Sequence, residues 1–296
     1  MRLAFLGTPE PAVASLRALV EAGHEVVLVI TRPDKRRGRG SDLSPSRVKA
    51  AAHALGLRVE HKLAALGEVD VDLAVVVAYG RIIPVDLLAR CPMVNVHFSL
   101  LPRWRGAAPV ERAVLAGDEE TGVCIMAVEE ELDTGAIYRQ ATTSISEKRT
   151  DELLVELAEM GSRLLVELLD GGLPLPAPTS QVGEATYAAK MEKTDFFLNP
   201  QETVAYFARQ VRTGRAVAVV NSKRCKVHAT GATRSRHGDP GSVHVTDGRL
   251  WWSAADGDIE VTQLHPEGAK SISASAFISG LRGSESPRWD RPSAAS

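Results

Sequence analysis

The chain has 296 residues, of which 44% are hydrophobic and 24% charged, with a formal net charge of −2. It is long enough for two domains and too rich in apolar residues for wholesale disorder. No apolar run approaches the ~20 residues of a membrane helix. The opening Leu3–Leu6 stretch is too short for a signal peptide and meets Gly7-Thr8-Pro9-Glu10, so a cytoplasmic protein with no membrane partner is expected.

Residues 2–6 form an apolar run ending at Gly7, the pattern of a buried parallel strand. Pro9–Ala22 carries Val13, Leu16, Leu19 and Val20 at helical spacing, and Gly23 stops it. His24–Thr31, Leu73–Ala78 and Val94–Phe98 read as further strands, with a helix over Ser46–Leu55. Such alternation predicts βαβ units and a mostly parallel sheet. Val123–Val128 and Ala136–Ser144 read as two more strands. Asp151–Leu169 is the clearest amphipathic helix, with Leu153, Leu157 and Leu165 on one stripe.

From Leu173 to about Asn199 the chain is polar and Pro-containing, and reads as a linker. Beyond it come a helix over Gln201–Arg212 and five short segments: Ala216–Asn221, Cys225–Ala229, Ser242–Val245, Leu250–Ser253 and Ile259–Leu264. Gly-containing turns separate them, which predicts a small OB-like β-barrel. The last dozen residues read as frayed. The expected organisation is an α/β Rossmann-like domain over residues 1–188, a linker over 189–206 and the OB-like domain over 207–296. Phe207 to the end holds 13 Lys plus Arg and 8 Asp plus Glu, net +5, leaving −7 for the first 206 residues. That asymmetry fits a polyanionic partner or a plain solvated face.

Three segments carry chemistry. In Asn95-Val96-His97, strand alternation turns the amide and the imidazole the same way, at the carboxyl end of a parallel strand where ligands bind. The pair suits a developing oxyanion, although a strand histidine is also a common core residue. Asp133 in Asp133-Thr134-Gly135 is either an Asx-turn residue or a carboxylate that reaches His97 and supports its charge. The third segment, Pro33 to Ser41, holds Lys35, Arg36, Arg37 and Arg39 among glycines; it is a phosphate-binding loop or an exposed loop without a partner. The Gly7-Thr8-Pro9-Glu10 turn lacks the glycines of a dinucleotide site, and Glu10 would repel a pyrophosphate. Cys91, Cys124 and Cys225 are odd in number and far apart, so neither a disulfide framework nor a Cys-x-x-Cys metal site is expected.

Taken together, Gly7–Pro9, the basic loop to Ser46, Val76–Gly80 with Ile82-Ile83-Pro84, Asn95–Pro102 with Arg103–Pro109, Leu132–Gly135 and Thr186–Ala188 resemble the 10-formyltetrahydrofolate-dependent formyltransferases. The resemblance spans nearly the whole chain. Asn-x-His with Ser-Leu-Leu-Pro is shared across the superfamily and speaks to the donor. Arg103–Pro109, the basic loop and the basic C-terminal domain point to tRNA-directed members acting on initiator Met-tRNA. The resemblance implies catalysis by Asn95, His97 and Asp133. It implies folate contacts at Ser99, Leu100, Leu101, Pro102, Tyr79, Gly80, Ile82 and Ile83. It implies tRNA contacts at Arg36, Arg37, Arg39 and Lys49, and at Arg212, Arg215, Lys223, Arg224 and Lys226. The co-substrate would be 10-formyltetrahydrofolate, with no metal, and a monomer is expected. The alternative is a relative acting on a small amine such as an amino sugar nucleotide, which needs neither basic feature. Phe98 departs from the family, where a small residue is common.

Overall fold

The nearly continuous apolar runs Arg2–Gly7, Leu73–Val77 and Met93–His97 pair side by side as parallel strands in the computed structural model, which describes residues 1–36, 43–280 and 287–293. Strands buried on both faces have no polar alternation to show. The chain divides into two compact units.

In the first unit a seven-stranded sheet runs in the spatial order Ile137–Ser144, Glu120–Ala127, Met93–His97, Leu73–Val77, Arg2–Gly7, Glu25–Ile30 and Val59–Glu60. The last five are parallel, and Glu120–Ala127 and Ile137–Ser144 add an antiparallel pair at one edge. Helix Pro11–Glu21 starts on a proline whose missing N–H is no loss there. Ser46 caps helix Arg47–Ala54 by accepting from the Lys49 N–H at 3.0 Å. Leu153, Leu157 and Leu165 of helix Thr150–Leu169 are fully buried, each worth ~1.5–3 kcal/mol. Gly161 lets that helix approach the sheet, because a Cβ there would meet Val96 at 2.7 Å.

The second unit contains the antiparallel order Val243–Thr246, Arg249–Ser253, Asp258–Pro266, Lys223–Arg234, Val217–Val220 and Trp289–Asp290. Two features differ from the sequence reading. The second strand extends through Arg234, where Ala229 was expected to end it; its pairing with Asp258–Pro266 shifts register three times, so alternation in its second half is blurred. The chain end also holds a structured segment. Trp289–Asp290 pairs with Val219–Val220, while the Trp289 N–H donates to Gly241 O and the Val243 N–H to Pro287 O, bringing the two ends of the sheet together. Trp289 is buried and stacks on Trp252 at 5.2 Å, and Phe207 packs edge-on against both rings. One aromatic side chain thus anchors a tail whose composition is otherwise polar, which is why composition pointed to fraying.

Candidate active site

Asn95 and His97 sit at the carboxyl end of the strand Met93–His97, two residues apart, and both line a cavity of about 550 Å³ in the first unit. The strand ends of Leu73–Val77 and Met93–His97 open onto it through Ala78–Ile83, Gly106, Ala107 and the turn Glu129–Asp133. Ala78, Gly80 and Asp133 have positive φ, at 45°, 68° and 54°. Backbone in this region is held by its surroundings and gathers around functional sites.

The turn at Asp133 is fixed by the residue after next. A Cβ on Gly135 would lie 2.0 Å from Ala127 O, so only glycine lets the chain fold back against the neighbouring strand. That fold-back carries Asp133 to His97: Asp133 Oδ2 lies 3.7 Å from His97 Nδ1, and both side chains are about nine-tenths buried. The reach open at the sequence level is therefore made. His97 Nε2 donates to Trp104 O at 2.9 Å, which places a proton on Nε2 and leaves Nδ1 facing the carboxylate. Asp133 Oδ2 accepts from the Gly106 N–H at 2.8 Å. Asn95, His97 and Asp133 share one cavity.

Tyr79, Gly80, Ile82 and Ile83 line this cavity too. Burial pushes the Tyr79 phenol above its ordinary pKa, with the Arg81 cation opposing. Ser99, Leu100, Leu101 and Pro102 are not among its lining residues. The Ser99 hydroxyl is buried and donates to Arg103 O at 2.7 Å, and Leu101 packs against Cys124 and Met126. These four shape the turn that delivers Trp104 O to the histidine. Cys124 pairs with His97 across the strands but is a buried thiol pushed up to about 11; it is a core residue.

The residues expected to meet tRNA are in mixed situations. Arg36 is exposed on a short strand Lys35–Arg36 paired with Leu43–Ser44; Arg37 and Arg39 lie outside the described residues. Lys49 is held by Asp34 at 2.8 Å. In the second unit Lys223 and Lys226 are exposed, and Arg215 and Arg224 stack on Phe196 and Phe197, 4.1 and 5.5 Å from the ring centroids. Arg212 donates to Ser146 O. Among the described residues no cluster of three His, Cys, Asp or Glu could hold a metal ion, and no helix is long and apolar enough to cross a membrane.

Sequence reasoning missed the Gly106 N–H, the Trp104 carbonyl and the carboxylates of Glu129, Glu130 and Glu131 on the cavity wall. The first two are backbone groups and leave no residue-type signal. The third was visible as a run of three acids beside Asp133.

Residues 1–169 match the formyl transferase family and residues 190–282 its C-terminal domain. The chain is 39% identical to a methionyl-tRNA formyltransferase of Dechloromonas aromatica, over 99% of this chain and all of the relative. It is 41% identical to one of Halorhodospira halophila, over 95% and 96%. In fold it is similar to an N-formyltransferase of Helicobacter canadensis crystallised with folinic acid and dTDP-3-aminofucose, with a TM-score of 0.68 at 18% identity over 91% and 99% of the two chains. By the family match and by relatives aligned along almost their entire length, the chain belongs to the methionyl-tRNA formyltransferase family.

Proposed function

We propose that the chain transfers the formyl group of 10-formyltetrahydrofolate to the α-amine of methionine on initiator Met-tRNA. The observation that carries the site assignment is the placement of Asn95, His97 and Asp133 on one cavity, with His97 Nδ1 3.7 Å from the Asp133 carboxylate. The acceptor rests on the relatives' names and the basic segments.

The methionine amine attacks the formyl carbon, and negative charge develops on the formyl oxygen. The Asn95 amide and protonated His97 stabilise that charge. Asp133 sustains the imidazolium and, through a water, takes the proton lost by the amine. Its Oδ2 is already held by the Gly106 N–H, which leaves Oδ1 for that water. The same water then returns that proton to N10 as the carbon–N10 bond breaks, and tetrahydrofolate leaves with N10 protonated. Tyr79, Gly80, Ile82 and Ile83 form the donor's wall, and Ser99–Pro102 act from beneath it. Residues 207–296 bind tRNA phosphates through Lys223, Lys226, Arg215, Arg224 and Arg212, joined by Arg36, Arg37, Arg39 and Lys49 of the N-terminal domain. The protein works as a cytoplasmic monomer.

The test offers the purified protein 10-formyltetrahydrofolate with charged initiator tRNA, charged elongator methionine tRNA and a sugar-nucleotide amine in parallel. Formyl-methionine on initiator tRNA alone is expected. Formylation of the sugar amine alone would move the function to a small-acceptor transferase.

A further inference from the structure

The segment Thr179–Ala188 sits within the polar stretch that composition marks as linker, yet it binds the backbone on both sides of the catalytic pair. Thr179 and Ile137 exchange two backbone hydrogen bonds of 2.8 Å. The Gln181 amide then does two things at once. Its Nε2 donates to Asp133 O at 2.8 Å and Gly135 O at 2.9 Å, while its Oε1 accepts from Arg105 Nε and Nη2 at 3.1 and 2.6 Å. Five residues on, Thr186 Oγ1 accepts from the Trp104 N–H at 2.9 Å, and Thr186 O accepts from the Arg105 N–H at 2.9 Å.

Trp104 O is the acceptor that orients His97, and Asp133 sits at φ 54° in the turn Gln181 ties. His97 ends a strand and Asp133 lies in a turn; through Arg105, Gln181 bridges that turn to the segment whose Trp104 O orients His97. We infer that Gln181 and Thr186 are positioning residues that set the His97–Asp133 distance, so that the polar segment after the long helix belongs to the catalytic apparatus. A side-chain amide is needed at Gln181 because one group must donate to two carbonyls and accept from a cation. Glutamate would keep the arginine and lose both donors.

This role rests on the formyl-transfer reading above, and the experiment separates the two. Formylation of Met-tRNA is measured for wild type, Gln181→Met, Gln181→Glu and Thr186→Val, with thermal melts alongside. Loss of a supporting hydrogen bond around a reacting group costs ~10–100-fold in activity. The expected result for both Gln181 variants is a fall of that size in kcat with KM for Met-tRNA within about twofold. In an Asp133→Asn background the same change should cost under about threefold more, because the group being positioned is gone. Thr186→Val changes little volume and carries the test if Gln181→Met does not fold. Active wild type with folded variants that keep kcat, or losses that multiply fully in the Asp133→Asn background, overturn the positioning role alone. Wild type inactive on Met-tRNA overturns the reaction assignment, and the positioning role with it.

Discussion

The cavity of the first unit and the cations of the second hold charge in opposite ways. His97 and Asp133 are about nine-tenths buried and each is bonded to backbone, Trp104 O for one and the Gly106 N–H for the other. Lys223 and Lys226 stand in solvent, and Arg215 and Arg224 lie on phenylalanine rings. Buried, backbone-fixed groups act at one geometry and tolerate no substitution. Exposed cations add up over many phosphates and are individually replaceable. The first arrangement suits a chemical step, the second a sequence-tolerant hold on a polyanion.

The largest break in this contrast is expected at Asp133. Asp133→Asn removes the charge beside His97 and should lower kcat ~10²–10³-fold, with tRNA affinity unchanged by filter binding. Next comes the turn that presents it. Gly135→Ala forces a Cβ against Ala127 O, and a loss of ~1–3 kcal/mol in denaturant unfolding is expected for such overpacking. A Gly135→Ala protein as stable as wild type would mean that the strand gives way freely.

On the second unit the effects are smaller and depend on salt. Lys226→Ala should weaken Met-tRNA binding and reduce the slope of log affinity against log salt by ~1, leaving kcat at saturating tRNA intact. A slope that does not move would remove Lys226 from the phosphate contacts. The smallest effect concerns His228, whose pKa is lowered by burial and then by His265, Lys226 and Arg149. The unfolded chain binds the proton more tightly, so the contribution of His228 is fully present above about pH 6.5 and is lost as pH falls through its lower folded value. His228→Asn should flatten the fall in melting temperature between about pH 7 and pH 5; an unchanged profile would count against it.

Much of the parallel sheet could be read in the sequence, because strands buried on both faces leave apolar runs such as Leu73–Val77. The spacing of Asn95 and His97 likewise located one end of the cavity. Asp133 was visible as a residue type, but its approach to His97 depends on Gly135 packing against Ala127 O, a long-range contact. The groups that aim the histidine are carbonyls and N–H groups, which every residue carries. Trp289 shows the same limit: one aromatic in a polar tail closes a sheet through pairing that composition does not encode. Gln181 was invisible for a further reason, since a lone glutamine in a Pro-containing stretch looks like any solvated residue.

The most direct measurement compares single-turnover formyl transfer, with enzyme in excess over charged initiator tRNA, for wild type, His97→Ala and the Lys223→Ala/Lys226→Ala double variant. His97→Ala is expected to lose ~10²–10³ in the saturated rate while keeping its tRNA affinity. The double variant should keep the saturated rate and need more enzyme to reach it. A folded His97→Ala protein that transfers formyl at the wild-type rate would remove His97 from the chemical step.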